Sequence, residues 1–176
     1  MENENSFLIA FNEAESFYAA FNYINEMASS MIKFSDTAKF MGICRAIDVN
    51  HVFAIEMYFK CISLITSNKY KQGHDLIKLF NFLNKDVQEL IISHYNEKYK
   101  PYEEEMLAYT LGGKKSSFVE LLSLSKDTFI SSRYIFSQDR NSYKLNGYRL
   151  QYILPTIRDV CVIYKPELNK EMFPLL

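Results

Sequence analysis

The chain has 176 residues, a length typical of one domain and short for two. With 20 Lys and Arg against 21 Asp and Glu, its formal net charge is −1, which does not indicate a strongly basic nucleic-acid-binding domain. Hydrophobic residues make up 48% of the chain and charged residues 23%, so the composition excludes wholesale disorder. Five Gly and four Pro are too few for a protein of many short strands and tight turns.

The cysteine pattern and the N-terminus both favour a cytoplasmic protein. Cys44, Cys61 and Cys161 are odd in number and widely spaced, unlike the paired cysteines of a disulfide framework or a zinc site. The first residues, Met-Glu-Asn-Glu-Asn, are acidic where a signal peptide is basic. No stretch approaches the roughly 20 apolar residues of a membrane helix, so we expect no membrane segment.

Apolar residues recur every three or four positions through most of the chain, which is the period of an amphipathic helix. The first apolar stripe predicts a helix over about 6–34. After a short turn, a second stripe predicts another long helix over about 37–67. Two long helices joined in this way are expected to pack antiparallel.

Capping signals predict several shorter helices after the second long one. Asp75 stands directly before a new apolar stripe as a candidate N-cap. Two further pairs, Asp86 with Glu89 and Ser117 with Glu120, have the three-residue spacing of a capping box. Each pair is expected to open a helix.

Proline residues contribute the remaining boundaries. Pro101 is expected to interrupt the chain before a short helix over 102–111. The last helix is expected over about 147–164, weakened or kinked by Pro155. The whole pattern predicts one all-α domain, residues 1–176, with two long antiparallel helices and shorter ones packed on them.

The most informative segment lies in the second long helix and in the turn that follows it. Glu56 and Lys60 are four residues apart, so they share one helix face and can pair; taken alone, this is a surface ion pair. His74 and Asp75 open the next helix, where the plainest interpretation is an N-cap beside an imidazole.

In combination these residues resemble the HEPN superfamily. Its long second helix often carries an A-x-E-x-x-x-K-like pattern, and a loop then leads to a G-H-D-L-x-x-L segment. The matching positions are Ala54, Glu56 and Lys60 in the first pattern, and Gly73, His74, Asp75, Leu76 and Leu79 in the second. Arg133 and Tyr134 look like an Arg-Tyr pair of a later helix, so the resemblance covers roughly residues 45–140.

The resemblance implies a small helical bundle, commonly dimeric, of a kind found in toxin–antitoxin, abortive-infection and other defence systems. Many such proteins are metal-independent ribonucleases with an R-x(4–6)-H motif. In that motif the imidazole takes a proton from the ribose 2′-OH, and the guanidinium stabilises the charged phosphorane. Others are non-catalytic binding or scaffold modules.

The chain departs from the nuclease motif at its histidine. Arg140 and Asn141 stand where the motif begins, but Leu145 and Asn146 stand where its His belongs. Cleavage by the family mechanism therefore lacks its base at that place.

A formal match to the motif occurs instead at Arg45 and His51, which are the catalytic candidates. Six residues turn a helix by about 240° and advance it by about 9 Å, so the two side chains do not converge within one subunit. They could meet only if the helix breaks or if a dimer axis joins two copies. His51 also lies on the apolar stripe, where a core or interface histidine is the plainer interpretation.

Three functions stay open. The missing late His and the near-neutral charge favour a non-catalytic interaction or regulatory module in a bacterial defence or toxin–antitoxin setting. The alternatives are a metal-independent ribonuclease with an atypical Arg/His pair, and an RNA or nucleotide binder that does not cleave. The candidate binding residues are Glu56, Lys60, His74, Asp75, Arg133, Tyr134, Arg140 and Asn141.

We also expect a homodimer, because long amphipathic helices with this many aromatic residues leave an apolar face to pair. RNA or a protein of a defence system is the expected partner. No sequence pattern predicts a cofactor or a metal site.

Overall fold

The computed structural model describes residues 6–31, 37–102, 117–125 and 151–169. Within these ranges every regular element is a helix, which confirms the predicted all-α class. The expected helix over 102–111 lies outside the described residues except for its first residue.

Two long helices form the frame, and both match their predicted bounds closely. Helix α1 spans Ser6–Met31 and helix α2 spans Thr37–Ser67. Neither contains proline, so the backbone hydrogen-bond ladder has no missing donor. Helix α2 ends at Asn68, which adopts a left-handed φ of 54° and donates its N–H to the Leu64 carbonyl at 2.9 Å.

Ring contacts between α1 and α2 confirm that the two helices run antiparallel. As the position in α1 rises, the position of its partner in α2 falls. The three ring pairs are Phe11 with Tyr58 at 5.7 Å, Phe17 with Phe53 at 4.9 Å, and Phe21 with His51 at 4.4 Å.

The two short helices that follow begin differently from one another. Helix α3 spans Leu76–Phe82, and its N-cap is Asp75, whose Oδ1 accepts a 3.1 Å hydrogen bond from the backbone N–H of Lys78. This confirms the predicted cap. Helix α4 spans Lys85–His94, with Asn84 at its N-cap.

The predicted capping box of Asp86 and Glu89 is therefore wrong. The chain leaves α3 at Leu83 and enters α4 two residues later, so Asp86 lies inside the first turn rather than at the cap. There its negative charge still faces the positive end of the helix dipole. The buried Gln88 supports this turn, because its Nε2 donates to the Leu83 carbonyl at 2.7 Å.

Helix α4 continues directly into a π-helical turn over Tyr95–Tyr99. The N–H of Lys100 donates to the Tyr95 carbonyl five residues back, which adds one residue to the turn. Residues 100–102 are helical, so Pro101 does not interrupt the chain as predicted. Its missing N–H falls just after the π turn, where the regular i→i+4 ladder is already altered.

Helix α5 spans Phe118–Ser125, and the next described residues begin at 151. Its capping box is confirmed in both directions. The Ser117 backbone N–H donates to Glu120 Oε2 at 2.7 Å, and the Glu120 N–H donates to Ser117 Oγ at 3.3 Å.

Helix α6 spans Ile153–Tyr164, and a 3₁₀ turn over Pro166–Asn169 follows it. Pro155 lies in the first turn of α6, where a backbone N–H has no acceptor within the helix. The proline is thus compatible with the start of this helix, and the predicted weakening at its middle does not arise.

Helix α2 is the central element, in contact with α1, α3 and α6, while α5 packs on α3 and α4 packs on α6. The core fills the space between these helices. Its largest fully buried side chains are Tyr58, Tyr95, Phe11, Phe59, Phe118, Ile55, Ile62, Leu76, Ile91, Leu121 and Leu122. This single core holds the polar clusters of the next section in place.

Candidate functional site

Glu56 lies at the centre of the polar cluster that the sequence predicts. Its Oε1 accepts a hydrogen bond from Lys60 Nζ at 2.6 Å, and its Oε2 lies 2.8 Å from Nδ1 of His74. A carboxylate can only accept, so Nδ1 of the imidazole is the donor. The Glu56 side chain is 2% exposed, whereas that of His74 is 54% exposed. The structure thus brings together three predicted residues, one of which is distant in sequence.

The loop between α2 and α3 has the local structure needed to return His74 to α2. The left-handed Asn68 follows the last residue of α2. Gly73 has a φ of 107°, a backbone conformation that is strained for any residue with a side chain. Between them, Ser63 Oγ donates to the Lys69 carbonyl at 2.7 Å and holds the loop against α2. These contacts place the imidazole over the buried carboxylate.

The remaining predicted binding residues have different fates. Asp75 contacts α3 and not Glu56: its Oδ1 caps α3, and its Oδ2 lies 3.4 Å from Lys78 Nζ. The other four lie outside the described residues, so they stay predictions: Arg133, Tyr134, Arg140 and Asn141.

The two catalytic candidates, Arg45 and His51, lie on the same unbroken helix α2. His51 is 1% exposed, and its ring packs against Phe21 of α1. This burial confirms the plainer interpretation of His51 as a core histidine. Arg45 is half-buried and lies one and two-thirds helical turns before His51. Their catalytic pairing stays a prediction.

Sequence reasoning missed a second cluster, which joins α1, α2 and α6. Glu15 Oε1 accepts from the Tyr58 hydroxyl at 2.5 Å and from Arg158 Nε at 2.6 Å. Burial raises the pKa of Tyr58, and the charge of Glu15 raises it further. Burial is the largest single effect on the pKa of Arg158 and acts to lower it, but the hydrogen bonds and charges of Glu15 and Tyr58 together outweigh burial, and the pKa is raised. The cluster therefore links α1, α2 and α6.

A third cluster surrounds Asp159 on α6. Its Oδ2 lies 2.9 Å from His94 Nε2, 2.7 Å from Lys98 Nζ and 2.6 Å from the Tyr99 hydroxyl. The π turn makes this possible, because the extra residue brings positions 94, 98 and 99 to one face. Burial acts to raise the pKa of Asp159, but these hydrogen bonds outweigh it, and the pKa lies below its usual value.

A cavity of about 300 Å³ lies where α1, α2, the π turn and the start of α6 meet. Among the described residues its walls are Tyr18, Phe21, Asn22, Asn25, Cys44, Ile47, Asp48, Tyr99, Gln151, Tyr152 and Pro155. The α1 members follow a spacing of three and four residues, which is a sequence signal for one shared face. Nothing in the sequence indicates that Gln151 and Tyr152 lie opposite them, because that depends on how α6 packs.

Two further properties concern the described residues as a set. They contain no group of three or more His, Cys, Asp or Glu side chains placed to hold a metal ion. None of their helices combines the length and the apolar character needed to cross a membrane.

Comparisons of the chain with protein-family models, with curated proteins and with solved structures found no match.

Proposed function

We propose that this chain is a non-catalytic, HEPN-like interaction or regulatory module of a bacterial defence or toxin–antitoxin system. The observation that carries the proposal is the engagement of the family-like residues with one another. Glu56 is buried and holds both Lys60 and His74, so these side chains fasten the loop before α3 to α2. These contacts support a structural role for the three residues.

The three imidazoles of the chain support the same interpretation. His51 is buried against Phe21, His74 is bonded to Glu56, and His94 is bonded to Asp159. A general base for RNA cleavage has to reach the ribose 2′-OH within hydrogen-bond distance. At 1% exposure His51 is out of reach of such a substrate, and His74 and His94 each have one ring nitrogen engaged with a carboxylate.

The test is incubation of the purified protein with total RNA in the presence of EDTA. We expect the RNA to stay intact over hours at micromolar protein. The informative variants are His51→Ala and Arg45→Ala, with circular dichroism to show that each still folds. Metal-independent cleavage by the parent protein that disappears in these folded variants would overturn the proposal in favour of the ribonuclease.

RNA binding without cleavage is distinguished by its salt dependence. Contacts between basic side chains and phosphates release counterions, so the affinity falls steeply as salt rises. We expect no such binding to a single-stranded RNA probe. A steep fall in affinity between low and physiological salt, reduced in Lys60→Ala protein, would support the non-cleaving RNA binder instead.

A homodimer is the assembly that we infer for this module. Large apolar side chains on α1 support it, because Ile9 is 62% exposed, Tyr23 is 67% exposed and Met27 is 43% exposed. Light scattering coupled to size exclusion should give twice the mass of one chain at micromolar concentration. Tyr23→Glu should shift that mass toward the monomer, and a monomeric parent protein would contradict the inference.

A further inference from the structure

The cavity between α1, α2 and α6 is large enough for a small molecule. Its volume is about 300 Å³, whereas an apolar cavity of about 150 Å³ already holds one benzene ring. Space of this size suits a molecule with two fused rings. The cavity lies between helices of a bundle, which is a common position for ligand sites. On α2 its lining ends at Asp48, about two helical turns before Glu56, so it is separate from the Glu56 cluster.

Aromatic rings form two walls of the cavity. On α1, the rings of Tyr18 and Phe21 are stacked at 6.2 Å with an angle of 28° between their planes. On the π turn and the start of α6, the rings of Tyr99 and Tyr152 are also stacked at 6.2 Å, with an angle of 29°. Aromatic side chains prefer offset or edge contacts with other aromatic rings. The walls therefore favour a flat aromatic ligand over a puckered one.

The polar groups of these walls are already engaged within the fold. The hydroxyl of Tyr99 donates to Asp159 Oδ2 at 2.6 Å, and Tyr18 is hydrogen-bonded to the side chain of Asn22. The buried Asp48 also has an interaction partner in the protein. A ligand is therefore not needed to satisfy these groups, and the walls present their ring faces to it. Rings fixed by such bonds lose little conformational entropy when a ligand stacks on them.

The lining also selects the charge of the ligand. None of the described residues that line the cavity is a Lys, Arg or His, so an anion would lose its hydration without gaining a counter-charge. A cation would lose its hydration as well, and the one carboxylate in the lining, that of Asp48, is already engaged. Exposed Asn25 and Gln151 also line the cavity, so a single polar substituent can stay in contact with water there. The cavity thus suits an uncharged ring system.

We propose that this cavity binds an uncharged, flat aromatic molecule of two fused rings, stacked on the two tyrosine-containing walls. This class includes indoles and naphthalene derivatives with at most one neutral polar substituent. The proposal concerns a different part of the chain from the proposed function, and the RNA experiments above succeed or fail independently of it.

Four probes with the same carbon skeleton test flatness and charge separately, by saturation-transfer NMR titration of the full-length protein. 2-Naphthylmethanol is flat and uncharged, 2-naphthylmethylamine is the matched cation, and 2-naphthoate is the matched anion. Decahydro-2-naphthylmethanol is uncharged and more apolar, but its rings are puckered. We expect 2-naphthylmethanol to bind, and each of the other three to bind at least fivefold more weakly. No transfer to 2-naphthylmethanol at millimolar concentration would overturn the proposal, as would equal or tighter binding of any other probe.

A pair of tyrosine variants locates the site. Tyr152→Leu removes one ring from a wall but keeps an apolar side chain, and should weaken 2-naphthylmethanol binding at least fivefold. Tyr102→Leu is the matched control, because Tyr102 stacks on Tyr152 at 6.5 Å but does not line the cavity. Its affinity should stay within twofold of the parent protein. Unchanged binding in folded Tyr152→Leu protein, or an equal loss in both variants, would overturn the assignment.

Cys44 offers a measurement on the unmutated protein. It lines the cavity, whereas Cys61 and Cys161 are completely buried. Saturating 2-naphthylmethanol should slow alkylation of Cys44 by iodoacetamide at alkaline pH severalfold, as read by mass spectrometry of the modified peptide. 2-Naphthoate at the same concentration should have a much smaller effect. An unchanged rate with 2-naphthylmethanol would place its binding elsewhere and contradict the proposal.

Discussion

Glu15 and Arg158 lie 143 residues apart in the chain, yet Arg158 Nε donates to Glu15 Oε1 at 2.6 Å. A second, longer contact of 3.4 Å joins the other guanidinium nitrogen to Oε2. The guanidinium also lies over the ring of Phe11, 5.9 Å from its centre. The pair fastens the last described helix to the first, with both side chains 18% exposed.

Loss of this pair should destabilise the bundle. Arg158→Met leaves the Glu15 carboxylate half-buried without its cationic partner, and we expect a loss of about 2–4 kcal/mol in the free energy of unfolding. Urea denaturation measures it. The matched control is Lys165→Met, because Lys165 lies in an exposed pair with Glu167 at 3.7 Å. That change should cost less than about 1 kcal/mol, and equal losses in the two variants would contradict the assigned role.

The Glu56 cluster should show energetic coupling. Glu56→Gln removes the charge that holds Lys60 and His74, and we expect it to cost about 1–3 kcal/mol. In a double-mutant cycle with His74→Gln, the double variant should lose less stability than the sum of the two single losses, with a coupling of about 0.5–2 kcal/mol. Asp75 does not contact Glu56, so a cycle of Glu56→Gln with Asp75→Asn is the control. Coupling as large in that control cycle would argue against a specific bond to His74.

The Asp159 cluster should make stability depend on acid pH. The pKa of Asp159 is lowered in the folded protein, so its contribution is fully present above the unfolded value of about 3.9 and is lost as the pH falls through the folded pKa. Asp159→Asn should therefore cost about 1–3 kcal/mol at pH 7 and progressively less below about pH 4. Urea titrations at both pH values measure the difference. A cost that stays constant down to pH 3 would contradict this assignment.

Thiol reactivity should follow burial. Cys61 and Cys161 are completely buried, and burial raises the pKa of the Cys161 thiol well above its usual value. Burial also raises the pKa of Cys44, which is only partly covered. A disulfide reagent should therefore modify at most one thiol of the native protein, slowly, and all three in guanidinium chloride. Rapid reaction of three thiols under native conditions would show that the core is not closed.

Two aspartates at neighbouring helix starts should differ in their energetic contributions. Asp75→Ala removes the side chain that caps α3 and should cost about 1 kcal/mol. Asp86→Ala removes only a charge from the first turn of α4, and about 0.5 kcal/mol is expected. Thermal unfolding of the two variants under one condition makes the comparison. A larger loss in Asp86→Ala protein would indicate that Asp86, and not Asn84, caps α4.

Sequence periodicity and local capping signals were sufficient to predict the helical frame. The bounds of α1 and α2, the cap at Asp75 and the capping box at Ser117 depend on neighbours within a few residues, and all of them are confirmed. The errors at Asp86 and Pro101 have a common cause. Each depends on how the preceding element ends, through a two-residue turn in one case and a π turn in the other.

The grouping of side chains from distant helices was decided only by tertiary structure. The sequence determined that Glu56 and Lys60 share a helix face, because they are four residues apart, which is close to one helical turn. It contained no comparable signal for Glu15 with Arg158, for the three partners of Asp159 or for which elements face α1 across the cavity. Helical periodicity specifies which face a side chain occupies, whereas the packing of the whole core specifies which other face it meets.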